Sequence, residues 1–477
     1  MDARPDRNAI PLAVDLDGTL IATDLLWEGL FVLLRKNPLY IFMIPVWLVG
    51  GPARLKQAIA ARIDIDAAFL PYRAELLESL RADHAAGRRI VLATGTPRKF
   101  AEAIARHLGI FDAVLATDGD HNLTSSRKRA ALVEAFGDGG FDYVGNSRHD
   151  VAVFDAARQA IVVAPDRKAA RWQAVNGGEI IHGPKRTLRS VLKMLRVHQW
   201  SKNVLIAVPV VLSHKYFNTD MILTCALAFV SFSATASAIY ILNDFFDLAL
   251  DRRHPTKRNR PFASGALSIP FGLASAVLLV AVGIGAGIMV PWPFMAVLAG
   301  YLVVTTAYSL SLKRMLLIDV LTLAGLYTVR VIAGAAATGV GVSFWLLAFS
   351  MFFFLSLALV KRYVELSSSE LPPGERIAGR GYRSEDRDVV AQAGMASAFS
   401  SALVLALYMN SEAVRELYVH PWMVWPLPPI ILYLTMRVWI LARRGEMHDD
   451  PVVFIARDWR SQIVIALGAV MLVAGGW

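Results

Sequence analysis

Asn243-Asp244-Phe245-Phe246-Asp247-Leu248-Ala249-Leu250-Asp251, followed at once by Arg252-Arg253-His254-Pro255-Thr256-Lys257-Arg258-Asn259-Arg260-Pro261, is the stretch on which the reading of this chain turns. Asp244, Asp247 and Asp251 are offset by three and four residues, so on a helix all three carboxylates share one face. The apolar run from Met221 to Leu242 that leads into them is long enough to cross a bilayer. A carboxylate at membrane depth costs about 2.5–3.5 kcal/mol on insertion scales, so three of them need a compensating partner. Five basic residues follow in the same loop. Hard oxygen donors beside such a cluster fit a Mg2+ ion holding a phosphate-rich substrate.

Working outward, the composition divides the chain. Its 477 residues are 55% hydrophobic, with a mean hydropathy of +0.46, which points to an integral membrane protein of more than one domain. The apolar character is confined to the sequence beyond about residue 190; before that, charges are dense and apolar runs short. The net charge is +10, and residues 191–477 carry 24 Lys and Arg against 17 Asp and Glu, a net of +7. Those cations fall in alternate loops, so the charge belongs to a membrane protein and nucleic acid is not an expected partner. The single cysteine, Cys225, lies inside an apolar span, which leaves no disulfide framework and no Cys-based metal site. Met1-Asp2-Ala3-Arg4-Pro5-Asp6-Arg7 has no apolar core directly after it and does not read as a signal peptide.

In the soluble half, Ile10 to Val14 reads as a buried strand running into Asp15-Leu16-Asp17-Gly18-Thr19-Leu20. Two acids spaced by one at the carboxyl end of a strand suit a nucleophile, an acid and a metal. Arg89 to Ala93 forms a second strand pattern ending in Thr94-Gly95-Thr96, and Lys128 follows at a helix start. Tyr143-Val144 lead into Gly145-Asn146-Ser147-Arg148-His149-Asp150, and Ile161 to Ala164 gives another strand. Strands alternating with helices predict a parallel α/β sheet. In this order the motifs resemble the haloacid dehalogenase phosphatase superfamily over about residues 9–170. The resemblance implies a Rossmann-like α/β fold, with Asp15 as the nucleophile that forms an aspartyl-phosphate and Asp17 as general acid/base. It also implies Thr94 and Lys128 as phosphate-binding groups, and Asp15, Asp17 and Asp150 around one Mg2+. Asn146 stands where that superfamily usually has an acid.

The stretch from about 25 to 86 is too long for a simple connection and reads as a helical cap. Within it, Leu39 to Val49 is too short to span a bilayer. Trp27, Phe31, Tyr40 and Trp47 add amphipathic anchors, so the segment is expected to rest on the membrane surface. Residues 167–190 read as a linker, with Gly177-Gly178 and Gly183-Pro184 flanking basic residues. The expected domains are therefore 1–185, soluble, and 190–477, an all-α transmembrane bundle.

Apolar spans fall at about 203–218, 221–243, 271–290, 293–312, 316–338, 343–360, 390–410, 422–441 and 461–477, nine in all. The loops Arg252 to Arg260, Lys313-Arg314, Lys361 to Arg387 and Arg443 to Arg460 lie on one side, and the opposite loops hold only Lys215 and Arg415. The basic side is cytoplasmic by the positive-inside rule. A multi-pass protein of the inner (plasma) membrane is expected, with the soluble domain and both candidate sites on the cytoplasmic face.

The Asn-Asp-x-x-Asp-x-x-x-Asp segment, with Tyr308 to Asp319 as a second loop, resembles the UbiA-type intramembrane prenyltransferases. This implies a bundle of about nine helices with a Mg2+-dependent site at the cytoplasmic face. Arg196 to Asn203, Asp251 to Arg260, Lys361-Arg362-Tyr363 and Asp450 to Phe454 resemble one branch more closely. That branch is the polyprenyl-phosphate phosphoribosyltransferases, of which decaprenyl-phosphate phosphoribosyltransferase is the type member. A donor prenyl diphosphate needs a second acidic motif, whereas the second loop offers one acid, Asp319, after Lys313 and Arg314. One acidic cluster among many cations suits phosphoribosyl pyrophosphate, with a polyprenyl phosphate as acceptor. Lys202, Arg258, Arg330, Lys361 and Arg362 are candidate phosphate clamps. Asn243 and Asp319 join the substrate-binding set. Asp244 and Asp247 are the expected Mg2+ ligands, and Asp251 reaches either the metal or ribose hydroxyls. The alternative is an aromatic prenyltransferase with an accessory phosphatase domain. A transporter or scaffold would instead distribute ionisable residues along a path through the bundle. Homo-oligomerisation is compatible with the sequence.

Overall fold

The computed structural model describes residues 9–119, 121–184, 186–215, 217–368, 374, 375, 377, 379–447 and 450–476. The Met1–Arg7 stretch lies outside the described residues. The chain divides into two compact units, one of residues 1–195 with 241–275 and the other of 196–240 with 276–477.

The first unit is built on six parallel strands: β1 (Leu12–Val14), β2 (Ile90–Pro97), β3 (Ala113–Thr117), β4 (Asp142–Gly145), β5 (Gln159–Val163) and β6 (Glu179–Ile181). They lie in the order β3-β2-β1-β4-β5-β6. β1 pairs with β2 on one side and β4 on the other, so the order reverses at its carboxyl end. Such a reversal opens a crevice where ligands bind in α/β sheets. The alternation of a buried strand splits its side chains between two faces. Leu12, Val14, Ile90 and Leu92 pack on one core, while Ala13, Ala93 and Tyr143 pack on the other with Leu132 and Phe154.

Between β1 and β2 the chain forms helices α1 (Leu25–Lys36), α2 (Met43–Val49), α3 (Pro52–Ala60) and α4 (Ala74–Ala85). α1 starts where the Asp24 side chain accepts from Leu26 N–H, an ordinary N-cap. The remaining helices of the sheet region are α5 (Arg98–Leu108), α6 (Ser126–Phe136), α7 (Val151–Phe154), α8 (Arg167–Asn176) and α9 (Leu188–Leu195). The linker expected over 167–190 is corrected here. That stretch folds as α8 and β6, with Gly177 and Gly178 at φ +82° and +107° turning the chain between them. These glycines supply a backbone turn that side-chain-bearing residues rarely adopt.

Unit one also holds residues 241–275. They contain the end of α11 (Thr219–Phe246), the short α12 (Leu248–Arg253) and the start of α13 (Ile269–Ile288); α10 (Val208–Leu212) precedes them in the second unit. α1 packs on this segment. The Phe31 ring lies 4.8 Å from Phe245 and 5.6 Å from Phe246. The Arg252 guanidinium donates to both Glu28 carboxylate oxygens at 2.7 and 2.5 Å.

The second unit is helical: α14 (Trp292–Leu310), α15 (Ile318–Thr338), α16 (Phe344–Ser368), α17 (Arg387–Met409), α18 (Glu412–Leu417), α19 (Leu427–Arg443), α20 (Pro451–Arg457) and α21 (Trp459–Gly475). Among the described residues, seven helices are long and apolar enough to cross a membrane, or eight if α20 and α21, bent by 82°, count as one. The first expected span, 203–218, instead forms a 3-10 helix, Val197–Ala207, and the short α10. Pro209 at the start of α10 accounts for part of that break. Helices approach through small residues and polar contacts. Ser231 Oγ donates to the Gly283 carbonyl at 2.6 Å, Ser356 Oγ to Gly394 at 2.8 Å, and Trp439 Nε1 to Ser356 at 3.0 Å. In an apolar medium such contacts and close packing replace the hydrophobic effect between helices.

Candidate functional site

The first candidate centre lies just past β1. Lys128 comes from the first turn of α6, and its Nζ donates to Asp15 at 2.7 Å, Asp150 at 3.1 Å and the Tyr143 hydroxyl at 2.9 Å. Thr19 Oγ1 donates to the second Asp15 oxygen at 3.0 Å. Asp150 also accepts from the Tyr143 hydroxyl at 2.6 Å and from the Ser147 backbone and hydroxyl at 3.0 and 2.9 Å. Asp17 accepts from the Leu25 N–H at 2.9 Å and from the Thr96 hydroxyl.

Burial disfavours the charged forms, and the consequences differ by neighbour. Burial raises Asp15 to about 7 despite Lys128, with the Asp150 charge adding to the rise. Burial, then the nearby Asp24 charge, raises Asp17 to about 7. Burial would also raise Asp150, but Lys128 and its hydrogen bonds outweigh it and hold the carboxyl below its ordinary value. Lys128 is pulled down by burial and pushed further up by Asp15 and Asp150, so it stays protonated. The centre thus combines a fixed cation with two carboxyls near the range in which both protonation states are used.

These groups open onto a cavity of about 740 Å3. Lys56 and Arg73 line it from the insertion between β1 and β2, and Arg186, Gly265, Ala266 and Ser268 complete the wall. Lys56 donates to the Gly95 carbonyl at 2.7 Å, and Arg73 to the Gly18 carbonyl at 3.0 Å.

The acidic stretch differs from the expected single helical face. α11 ends at Phe246 and α12 begins at Leu248, so Asp247 sits at a break. Arg260 donates to Asp244 at 3.1 Å and to Asp251 at 2.7 Å. Asp247 instead pairs with Arg35 of α1 at 3.2 Å. Burial raises Asp251, only partly offset by Arg260. Among the described residues no group of three or more His, Cys, Asp or Glu forms a ready metal cage. A Mg2+ takes one or two carboxylates and keeps several waters. Asp15 with Asp150, and Asp244 with Asp251, fit that requirement because each pair converges on a single cation, Lys128 or Arg260.

In the helical unit, a third cluster gathers around Asp450. Lys202 Nζ lies 2.8 Å and Lys361 Nζ 3.5 Å from its carboxylate, and Tyr327 donates to it at 3.4 Å. Arg330 donates to Asn203 at 2.8 Å and to Tyr301 at 3.4 Å, and its guanidinium lies 5.2–5.5 Å from the Phe232, Tyr301 and Tyr327 ring centres. Burial and the neighbouring Lys361 and Arg330 charges lower Lys202 to about 8, against the pull of Asp450. Burial opposes ionisation of Asp450, yet Lys202 and Lys361 hold it at about 2. Burial leads the Lys202 shift and the neighbouring cations lead the fall of Asp450, so one carboxylate stands among several cations.

The sequence-derived residues therefore fall into groups. Asp15, Asp17, Lys128 and Asp150 line one cavity. Thr94 is fully buried behind it, and the adjacent Thr96 makes the contact to Asp17. Lys202, Arg330 and Lys361 share the Asp450 neighbourhood. Arg362 and Asp319 do not. They pair with each other at 2.5 Å, fully buried, with Tyr382 on Asp319 at 2.7 Å and Glu365 on Arg362. The clamp role expected for Arg362 and the substrate-binding role expected for Asp319 are corrected to a structural one, since both charges are consumed inside the core. Arg258 is exposed on the 3-10 helix Lys257–Asn259, and Asn243 is half-buried next to Asp244. Sequence reasoning passed over Thr96, Lys56, Arg73, Arg260 and Asp450. Asp450 did carry a signal, standing one residue before Pro451 as the N-cap of α20.

Comparison with known proteins agrees with this architecture. Residues 204–457 match the UbiA prenyltransferase family, and residues 12–155 match the haloacid dehalogenase-like hydrolases. The uncharacterised protein y4nM of Sinorhizobium fredii is 38% identical over 463 residues, covering 96% of this chain and 89% of that protein. The nodulation protein NoeC of Azorhizobium caulinodans is 33% identical over 282 residues, covering 58% of this chain and 91% of its own length. The decaprenyl-phosphate phosphoribosyltransferase of Corynebacterium glutamicum is 37% identical over 187 residues, 38% of this chain and 56% of that enzyme. A bundle of long apolar helices behind a parallel α/β hydrolase domain thus has its family: the chain belongs to the UbiA prenyltransferases and carries a haloacid dehalogenase-like domain at its N-terminal side.

Proposed function

We propose that this protein transfers 5-phosphoribosyl from phosphoribosyl pyrophosphate to a polyprenyl phosphate, and then removes the 5-phosphate to give polyprenyl-phosphoryl ribose. The observation that carries the phosphoribosyl reading is the fate of the second loop. Its single acid, Asp319, is spent on Arg362 and Tyr382, while Lys202, Lys361 and Arg330 surround Asp450. A chain with one acidic stretch and a separate cation-rich cluster favours a polyphosphorylated sugar over a prenyl diphosphate held by two acidic motifs. The named activity of the Corynebacterium relative supports the same donor and acceptor.

In the first step an acceptor phosphate oxygen attacks ribose C1, and the C1–O bond breaks with its electron pair leaving on pyrophosphate. The acceptor is already anionic, so positioning by the cationic cluster does most of the work. Asp244 and Asp251, which converge on Arg260 while Asp247 is drawn to Arg35, would hold Mg2+, which would supply charge neutralisation to the departing pyrophosphate. In the second step Asp15 attacks the 5-phosphate, and Asp17, raised by burial to about 7 and so partly protonated at neutrality, gives its proton to the leaving 5-oxygen. Asp17 then takes a proton from the water that attacks the aspartyl-phosphate, releasing phosphate. Lys128 holds phosphoryl charge, and Asp15 with Asp150 would hold the second Mg2+. The basic loops favour, by the positive-inside rule, a cytoplasmic-face location for both centres in the plasma membrane.

The test is to incubate purified protein with Mg2+, polyprenyl phosphate and ribose-labelled phosphoribosyl pyrophosphate. A labelled lipid is expected. Absence of label, with transfer from a prenyl diphosphate to an aromatic acceptor instead, would replace this reading with the prenyltransferase one.

A further inference from the structure

The cavity at Asp15 is not walled by the phosphatase-like sequence alone. Gly265, Ala266, Ser268, Ile269 and Pro270 line it, and they lie some 80 residues beyond the last strand. The segment is a compact turn: Ser264 N–H donates to the Arg260 carbonyl at 3.0 Å, and Leu267 N–H to Pro261 at 3.0 Å. It is seated tightly. Gly265 has φ +73°, and a side-chain carbon there would meet the Ala22 carbonyl oxygen at 2.6 Å. Ala22 belongs to the loop between Asp17 and Asp24, so the turn rests directly on the catalytic loop.

A chain of polar contacts holds it there. Asp17 accepts from the first N–H of α1 at 2.9 Å. One turn later Glu28 takes both arms of Arg252, and Arg252 Nε donates to the Ala263 carbonyl at 3.0 Å. The far end of the wall is Ile269 and Pro270, the first residues of the apolar helix α13. Arg186 stands at the same rim, its guanidinium 4.7 Å above the Phe271 ring. Besides Lys56 and Arg73, the cavity therefore carries Lys128 beside the nucleophile and Arg186 beside the start of a helix apolar and long enough to cross a bilayer.

We propose that this turn is a selecting wall, making the phosphatase centre specific for a phosphate monoester borne on a membrane-anchored phosphodiester. The monoester sits at Asp15 and Lys128, Arg186 takes the phosphodiester charge, and the lipid chain leaves along the apolar end of the wall. This rests on the phosphoribosyl lipid being the substrate, and adds which residues choose it.

The full-length protein in detergent is assayed with p-nitrophenyl phosphate and with synthetic polyprenyl-phosphoryl 5-phosphoribose. Ala266→Trp narrows the cavity and Arg186→Gln removes an exposed charge. Each is expected to lower kcat/KM for the lipid about tenfold more than for p-nitrophenyl phosphate, the scale of one charge-assisted contact or one steric block. For Arg186→Gln the loss should appear in KM, with turnover of the small ester reporting that the centre is folded. Equal proportional losses on both substrates would overturn the selecting wall while leaving the functional reading intact. A wild-type protein that cleaves p-nitrophenyl phosphate but leaves the lipid untouched would overturn both.

Discussion

Single residues in this chain are set by the charges they must answer. Asp244 is buried and shares one arginine with Asp251, so a metal that takes the place of that guanidinium would meet both carboxylates. Asp244→Asn keeps the shape and removes the charge. We expect transfer to fall roughly a hundredfold or more, as the loss of several kcal/mol of metal-mediated stabilisation requires, with the protein still monodisperse and helical by circular dichroism. Near-normal transfer would remove Asp244 from the metal site. Lys202 makes a pH-dependent case. Burial and like charges lower it to about 8, so its positive charge is present below that pH and lost as pH rises through it. A donor that binds as an anion should then show kcat/KM falling above about pH 8, the free-enzyme value. Lys202→Arg should move that fall to higher pH, and a profile identical in both proteins would sink the assignment.

At the scale of elements, the stretch Pro38–Val49 was expected to contact lipid through Tyr40 to Trp47. The structure divides that stretch. Trp47 is buried, 5.9 Å from Tyr40 and 4.8 Å beneath the Arg62 guanidinium, so it holds the insertion together. Leu39, Phe42 and Val49 are the most exposed of the stretch's apolar residues, at 67%, 73% and 91%. The bilayer surface is the partner that fits an apolar face on a protein with so many membrane-length helices. A nitroxide at position 42, in a Cys225→Ala background and in lipid nanodiscs, should show oxygen accessibility above that of a water-soluble nickel complex. The reverse order would mean that the face points to water. Trp47→Ala, by contrast, should lower stability by about 3–5 kcal/mol through the cavity it leaves, read as a fall in the melting temperature of the full-length protein.

For the whole molecule, the two proposed chemistries are linked by covalent sequence. Two centres on one chain hold each other's product at high effective concentration. Removing the 5-phosphate also makes the sequence of steps harder to reverse. Asp15→Asn should leave the first reaction running and make the 5-phosphorylated lipid accumulate, which mass spectrometry reads as one extra phosphate on the product. If the unmodified protein itself stops at the phosphorylated lipid, the coupled scheme is wrong, and the amide Asn146 beside the Asp150 loop becomes the place to look.

Local patterning along the chain was enough for much of this. Asp15-x-Asp17 after an apolar strand, the strand–helix alternation and the long uncharged helices each express a periodicity or a solvent preference that holds residue by residue. Those signals determined a parallel α/β domain and a helical membrane part, and the order of the motifs, through the resemblance it carries, singled out Asp15, Asp17, Lys128 and Asp150. Only the tertiary structure decided which charges were free to act. Arg362 and Asp319 looked like substrate ligands until folding placed them against each other in a core where neither reaches a ligand. Arg260 and Asp450 looked like loop residues until a turn of the chain brought the first to Asp251 and long-range packing brought the second to Lys202. The same packing set Gly265 on Ala22 and so gave the phosphatase cavity a wall from a distant part of the chain. The reason is physical. Apolar patterning is a property of neighbours in sequence, whereas the use of a charge depends on which opposite charge, sometimes more than 200 residues away, desolvation forces it to meet.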